Sequence, residues 1–270
     1  MSDPREYKLQ HTRQRSLAAN RHEFEFIGNN QRAVFPIVKR DDAGTIEMYG
    51  TGFFVAPGGI FASARHIFEG GDVLRTDSFE ILQEGEDHVY PRTITEVVID
   101  ETSDLAVGRL EPPHEDCQSC EKHPVVGIMY LDPEIYEVIG SFIFSHTLVD
   151  QPEYIETKNG SELVQRVRFR SHWEVGLAEE IYPNGLGFAQ GHCFGTSIFS
   201  EGGASGGPVF NSNGFVIGII SRSFAEPEGL PHSTCTGIKR IYEIELGGKF
   251  IADLRRGVEN KPIAYRKSLF

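Results

Sequence analysis

The chain has few cysteines, no long apolar run and no surplus of basic residues, and each shortage excludes a class of protein. Four cysteines in 270 residues are too few for a disulfide scaffold. No stretch approaches the ~20 apolar residues of a membrane span. The net charge of −13 disfavours a general role in binding nucleic acid. We therefore expect neither a membrane nor a nucleic acid as a partner.

The start of the chain, MSDPREYKLQHTRQRSLAANRHEFEF, lacks the apolar segment that a secretory signal needs. Its acidic residues also argue against a transit peptide. Without an export signal, the cysteines are expected to be reduced thiols, and the predicted location is the cytoplasm.

Short apolar and β-branched runs, separated by 29 glycines and 14 prolines, indicate a β-rich fold. These runs fall into two groups on either side of EPPHEDCQSCEKHP at 111–124, a linker rich in proline and charge. The predicted divisions are an N-terminal extension at 1–30, a first β-barrel lobe with the linker at 31–124, a second β-barrel lobe at 125–250 and a C-terminal tail at 251–270. Two lobes of short strands predict two antiparallel barrels or sandwiches.

The stretch GGASGGPVF at 202–210 surrounds Ser205 with glycines and a proline. Read alone, this stretch is typical of a tight turn between two strands. It also fits a turn in which backbone N–H groups converge beside the serine oxygen.

Two other segments bear on the choice: FASARHIFEG contains His66, and DETSDLAVGRL contains Asp104. A serine hydroxyl is a weak nucleophile until a base takes its proton, and a third group must hold that base in one tautomer. His66, Asp104 and Ser205 supply these three residue types. The first two lie in the first lobe and the serine in the second, which predicts a catalytic site between the lobes.

GTGFFV, GGIFASARHIF, TSDLAVGRL and GGASGGPVFNSNGFVIGIISRS together resemble the trypsin-like (chymotrypsin-fold) serine peptidases over about residues 33–245. The resemblance implies an all-β fold of two antiparallel six-stranded Greek-key β-barrels with the active site in the cleft between them. It implies His66 as general base and then acid, Asp104 as its orienter, and Ser205 as the nucleophile that forms an acyl-enzyme. It assigns the oxyanion hole to the backbone N–H groups of Gly203 and Ser205.

The resemblance also implies substrate-binding residues. Ser221 matches a serine that supports the catalytic aspartate, and Arg222 and Ser223 follow on the segment that usually pairs with the substrate backbone. Phe199 stands where trypsin itself has an acid that selects basic side chains, so a preference for Arg or Lys is not expected. Ala204 replaces the aspartate with which the digestive peptidases bind a newly cleaved N-terminus. Activation by N-terminal trimming is therefore not expected, and in this the chain is more similar to bacterial and organellar trypsin-like peptidases.

The sequence leaves two alternatives to a serine endopeptidase that is active by itself. One is a regulatory protease domain that a partner or ligand activates, since the stretch 146–200 has room for activation loops. The other is a catalytically silent peptide-binding module of the same fold. The expected substrate or ligand is a protein or peptide, an activating partner is left open, and no cofactor or catalytic metal is expected.

The linker contains Cys117 and Cys120 in a C-x₂-C pattern flanked by histidines. Zinc favours such ligands but usually draws a second pair from another segment, and Cys193 and Cys235 are the remaining cysteines. A zinc site, a redox switch and ordinary loop thiols all remain open for the linker. Cys193 is expected to be a buried packing residue.

Overall fold

The computed structural model describes residues 21–28, 32–40, 46–69, 79–84, 89–112, 125–128, 138–149, 153–158, 160–186, 189–224 and 232–261, with the backbone alone at 21–28, 84, 90, 140 and 142–149. Almost all of the regular structure in these residues is β. The strands are β1 (Arg21–Gly28), β2 (Val34–Arg40), β3 (Ile46–Ala56), β4 (Ile60–Ser63), β5 (Phe79–Glu84), β6 (Val89–Ile99), β7 (Ala106–Leu110), β8 (Val138–Val149), β9 (Glu153–Thr157), β10 (Gly160–Tyr182), β11 (Cys193–Thr196), β12 (Pro208–Asn211), β13 (Val216–Ser223), β14 (Ser233–Gly237), β15 (Glu245–Leu246) and β16 (Lys249–Phe250). The helical elements are 3₁₀ turns at Arg65–Ile67 and Ile238–Glu243 and a short α-helix, α1 (Ile251–Leu254).

Strands β2 to β7 form the first barrel, which is closed and has the strand order β2-β3-β4-β7-β6-β5. Its core is rich in aromatic rings: the centroids of Phe35 and Phe54 lie 4.7 Å apart, and those of Phe61 and Phe68 lie 6.4 Å apart. The run FFVA at the end of β3 is buried on both faces, as a continuous apolar run predicts. This barrel carries His66 and Asp104.

The second sheet also closes on itself. Strands β10, β11, β14, β13, β12 and β8 pair in that order, and β8 pairs back to β10, which makes a ring of six strands. Strand β9 pairs with β10 outside this ring. This sheet carries Ser205 in the turn before β12. The predicted all-β fold class, with a six-stranded barrel and a second sheet, is confirmed.

Strand β1 lies in the stretch expected to be an extension. It pairs with β10 in parallel, with Arg21 opposite Val164. The chain between β1 and β10 includes the whole first barrel. The segment that precedes the first barrel is therefore a strand of the second sheet. The predicted domain boundaries stay a prediction.

After β14 the chain returns to the first barrel. Ile238, Ile241 and Ile251 are buried in the apolar cluster that contains the first barrel's aromatic residues. The helical elements of this segment are the second 3₁₀ turn and α1. Within the part of the chain that the structure describes, no helix is long and apolar enough to cross a membrane.

Candidate active site

Antiparallel pairing of β4 with β7 brings His66 and Asp104 together. Ser63 at the end of β4 lies opposite Ala106 at the start of β7. His66 follows β4 within three residues and Asp104 precedes β7 by two, so both side chains emerge at the same end of the strand pair. Residues 62–69 and 100–105 are termed the base region.

The His66 ring is oriented by the carboxylate of Asp104. Nδ1 of His66 lies 2.8 Å from Oδ2 of Asp104, and the backbone N–H of His66 donates to Oδ1 at 3.0 Å. The Asp104 side chain is 12% exposed and that of His66 is 44% exposed. When Nδ1 donates to Asp104, the neutral ring has its lone pair on Nε2, which is the arrangement that a general base requires.

Ser221 reaches Asp104 from the second sheet. The pairing of β13 with β14 shifts register between Ile220 and Arg222, so Ser221 is the extra residue of a β-bulge. Its buried hydroxyl donates to Oδ2 of Asp104. This hydrogen bond directly joins the two halves of the candidate site.

Residues 202–207 form the nucleophile turn, which contains Ser205 and is held by backbone hydrogen bonds. Gly206 N–H donates to Ile220 C=O at 2.7 Å, and Ile220 N–H donates to Gly207 C=O at 2.9 Å. From the first barrel, the backbone N–H of Thr51 donates to Ser205 C=O at 2.8 Å, and its hydroxyl donates to Gly203 C=O at 2.7 Å. The turn is thus held by hydrogen bonds to both halves of the molecule.

Gly206 allows the nucleophile turn to lie against the base region. A Cβ at this position would lie 2.2 Å from the Ser63 hydroxyl, 2.3 Å from the Thr51 carbonyl oxygen and 2.7 Å from the Ala64 nitrogen. The φ of Gly206 is also 82°, in the region that residues with side chains rarely adopt. The turn therefore approaches the backbone two residues before His66 only because position 206 has no side chain.

The backbone N–H groups around Ser205 differ in whether they have an acceptor. Ala204 N–H donates to Glu201 C=O at 3.1 Å, and Gly207 N–H to Ala204 C=O at 2.9 Å. The N–H groups of Gly203 and Ser205 donate to no acceptor among the described residues. Ala204 itself is buried in the second apolar cluster, where an aspartate side chain would need a buried partner.

The hydrogen bonds of the described residues do not connect the Ser205 hydroxyl to the His66 ring. The structure places the serine's turn against the chain that leads to His66, and it joins Asp104 to His66 and to Ser221 directly. Catalytic hydrogen bonds are often long before substrate binds and tighten in the complex.

Phe199 and Ser223 occupy different environments. Phe199 is 56% exposed. The hydroxyl of Ser223 is hydrogen-bonded to that of buried Ser200, which also lies 2.8 Å from the Ser233 hydroxyl. These hydroxyls tie the end of β13 to the chain that leads into the nucleophile turn.

A cleft with a volume of about 100 Å³ lies beside the base region. Its lining includes Arg65, His66, Glu69, Asp104, Gln190 and Arg222. Arg65 Nε and Glu69 Oε1 form an ion pair at 2.5 Å, so these two charges offset each other. The cleft provides a surface of mixed polarity next to the His66–Asp104 pair.

The buried cysteines are separated by the sheet. Phe194 lies opposite Cys235, and Cys193 lies opposite Thr236, so Cys193 and Cys235 project from opposite faces of the sheet and cannot both bind one zinc ion. Burial raises the pKa of both thiols, which disfavours the reactive thiolate. In the ranges that the structure covers, no group of three or more His, Cys, Asp or Glu residues could hold a metal. Cys117 and Cys120 lie outside the described residues.

Sequence reasoning missed Thr51, Asp100, Ser200 and Arg240. Thr51 lies in the quoted GTGFFV motif but had no assigned role. Asp100 begins the DETSD run that ends with Asp104. Its position four residues before Asp104 was the available signal for a role of Asp100 near the site. The contacts of Ser200 and Arg240 depend on strand register and chain return, which no local pattern encodes.

Residues 50–219 match the model of the trypsin-like peptidase domain. Among solved structures, the chain is similar to the crystal structure of Deg5, with a TM-score of 0.53 and 16% identity over 78% of this chain and 86% of that one. It is also similar to the apo MamO protease domain from Magnetospirillum magneticum, with a TM-score of 0.51 and 14% identity over 80% of this chain and 97% of that one. No curated protein matches the chain in sequence.

Proposed function

Because the chain belongs to the trypsin-like peptidase domain family, we propose that it is a serine endopeptidase that cleaves proteins or peptides through an acyl-enzyme. The observation that carries this proposal is the hydrogen bond between His66 Nδ1 and Asp104 Oδ2, which leaves Nε2 free on the side of the ring away from the acid. A base oriented in this way, next to a glycine-rich serine turn, is suited to activate a hydroxyl.

In the first half-reaction, Ser205 Oγ attacks the carbonyl carbon of the scissile peptide bond while His66 Nε2 takes the hydroxyl proton. The carbonyl π electrons move to oxygen and form a tetrahedral oxyanion. The C–N bond then breaks as His66 donates the proton to the leaving nitrogen, and an ester to Ser205 remains. Asp104 stabilises the imidazolium during both proton transfers.

In the second half-reaction, His66 Nε2 takes a proton from water as the water oxygen attacks the ester carbonyl. Collapse of this second tetrahedral species returns the proton to Ser205 Oγ and releases a carboxylic acid. The N–H groups of Gly203 and Ser205 stabilise both oxyanions, and this role is supported by the absence of other acceptors for them among the described residues.

Substrate binding is assigned to Ser221, Arg222, Ser223 and Phe199. Ser221 and Arg222 line the cleft beside His66, and Ser223 ends the same strand. An extended peptide placed along this strand brings its carbonyl group towards the nucleophile turn. Phe199, which is more than half exposed, is available for contact with an apolar substrate residue.

The experiment that tests this function is digestion of a proteome-derived peptide library by the full chain, with products identified by mass spectrometry. We expect the wild type to produce new peptide termini that share a sequence preference. Ser205→Ala should produce no new termini. Ser212→Ala, which changes an exposed serine after β12, is the matched control and should retain cleavage.

The outcomes separate the alternatives. Cleavage by both wild type and Ser205→Ala overturns the assignment of the nucleophile. Peptide retention by the wild type without any cleavage indicates the silent binding module. Cleavage that appears only when a further protein or ligand is added indicates the regulatory protease domain.

A further inference from the structure

Asp100 organises the turn that carries Asp104. The Asp100 side chain is 7% exposed, and its carboxylate accepts hydrogen bonds from the Ser103 hydroxyl at 2.5 Å and from Thr102 through N–H at 3.1 Å and hydroxyl at 2.9 Å. Its backbone N–H donates to Leu105 C=O at 2.8 Å, which closes the turn. The position of Asp104 within this turn therefore depends on the Asp100 carboxylate.

Arg240 contacts the same carboxylate from the chain that leaves the second sheet. Its Nε donates to Oδ2 of Asp100 at 2.8 Å, a charge-assisted hydrogen bond. Arg240 lies in the second 3₁₀ turn, where its neighbours Ile238 and Ile241 are buried in the core of the first barrel. It thus connects the end of β14 to the turn that bears Asp104.

Arg65 connects this turn to the general base. The backbone N–H of Arg65 donates to Asp104 C=O at 3.3 Å, and its Nη1 donates to Asp100 C=O at 3.1 Å. Because His66 directly follows Arg65, a shift of the turn moves the chain at His66 as well. The network extends from Arg240 through Asp100 to both members of the His66–Asp104 pair.

The Asp100 carboxylate carries its charge despite its burial. Burial alone raises the pKa of this group, but the hydrogen bonds from Ser103, Thr102 and Arg240 outweigh it and bring the pKa below its ordinary value. Without Arg240 the buried carboxylate keeps its hydrogen bonds from Ser103 and Thr102 but loses its cationic partner, which is costly for a buried charge. Removal of the Arg240 guanidinium should therefore cause the turn to rearrange.

We infer that the Arg240–Asp100 pair is a positioning device that sets Asp104, and through it His66, relative to the nucleophile turn. The inference rests on the proposed function. Neither residue lines the cleft or touches the reacting atoms in the proposed mechanism. Loss of the pair displaces the base while the strand that binds substrate is retained, so it lowers kcat and leaves KM nearly unchanged.

The test compares Arg240→Gln, Arg240→Lys, Asp100→Asn and the double variant Asp100→Asn/Arg240→Gln. Arg256→Gln is the matched control, because Arg256 also pairs with an aspartate at 2.6 Å but its side chain is 82% exposed. We expect Arg240→Gln to lower kcat by roughly 10- to 100-fold with KM changed by less than about twofold, since small displacements of catalytic groups have effects of this size. Arg240→Lys should restore most of the rate.

Two further readouts distinguish positioning from a structural role. The double variant should be no slower than the slower single variant, because both changes break one interaction. The downfield proton NMR signal of the His66 Nδ1–H···Asp104 hydrogen bond should be present in the wild type and Arg256→Gln and weakened in Arg240→Gln. Thermal unfolding verifies that each variant is folded at the assay temperature.

An Arg240→Gln variant with wild-type kcat and an unchanged NMR signal overturns the inference, as does an effect confined to KM. Failure of the proposed function has a different signature, in which the folded wild type neither cleaves peptides nor reacts at Ser205. In that case the NMR comparison still decides whether Arg240 positions the His66–Asp104 pair.

Discussion

The base region and the nucleophile turn lie against each other but are held in place by different parts of the chain. In the base region, side chains make the decisive contacts: the Asp104 carboxylate binds His66 and Ser221, and the Asp100 carboxylate binds Arg240. In the nucleophile turn, backbone groups make them, through Gly206 and Gly207 with Ile220 and through Ser205 with Thr51.

This difference follows from what each part does in the proposed reaction. A base must hold and release a proton, so its orientation requires charged and polar side chains at fixed distances. An oxyanion site requires backbone N–H groups that are left without other acceptors, which favours glycine and excludes bulky side chains. The base region should therefore be sensitive to changes in side-chain polarity, and the turn to the addition of a single carbon.

The largest expected effect tests whether the two regions act as one unit. His66→Ala and Ser205→Ala should each lower kcat on a peptide from the library by a factor on the order of 10⁴ or more, and the double variant should lose no more. His172→Ala is the control, since that histidine pairs with Glu174 at 3.2 Å outside the candidate site. Additive losses in the double variant would mean that the two residues act in separate steps.

Gly206→Ala should damage the nucleophile turn by steric contact alone. The added Cβ meets Ser63, Thr51 and Ala64 within 2.2 to 2.7 Å, so we expect a loss of about 3 kcal/mol or more in the free energy of unfolding together with loss of activity. Gly58→Ala is the matched control, because its φ is 77° and no atom lies within 4 Å of the new carbon. The control should lose about 1–2 kcal/mol and keep its activity. Equal losses measured by denaturant unfolding would contradict the close approach at Gly206.

Ser221→Ala should have an intermediate effect, since it removes the one side-chain hydrogen bond from β13 to the Asp104 carboxylate. The loss of a hydrogen bond to a charged group predicts a decrease in kcat of roughly tenfold. Ser212→Ala serves again as the exposed serine control. Ser221 also lines the cleft, so a change in KM with constant kcat would leave substrate binding as its role and contradict its support of Asp104.

The smallest expected effect is on how the stability contribution of Asp100 changes with pH. The pKa of Asp100 is lowered in the folded protein, so the carboxylate stabilises the fold above its ordinary pKa of about 3.9 and loses this contribution as pH falls through the lower folded value. The free energy of unfolding should therefore differ between wild type and Asp100→Asn at pH 7, and this difference should shrink as pH falls below about 4. A difference that is constant from pH 7 to pH 3 in urea unfolding would show that the charge of Asp100 is unimportant.

Much of the fold class and of the candidate site was predictable because its signals are local. The run GGASGGP carries the nucleophile turn within seven residues, and the small residues before His66 mark the close approach at Gly206. The pairing of β4 with β7 then brings His66 and Asp104 together.

Other features could not be predicted because they depend on long-range register. The resemblance implied that Ser221 supports Asp104, but the β-bulge in the pairing of β13 with β14 that directs its hydroxyl there has no local signal. The contact of Arg240 with Asp100 depends on the return of the chain to the first barrel, 140 residues later in sequence. The parallel pairing of β1 with β10 lies in a stretch whose polar composition resembles that of an extension.

The most direct test of the account is reaction of the uncleaved full chain with a fluorophosphonate probe, followed by mass spectrometry to locate the label. Since Ala204 has no carboxylate to bind a new N-terminus, and the N–H groups of Gly203 and Ser205 have no acceptor among the described residues, the oxyanion site should need no proteolytic maturation. We predict a label on Ser205 in the intact chain and none in Ser205→Ala. A label that appears only after cleavage between residues 20 and 35, or one that persists in Ser205→Ala, would contradict the account.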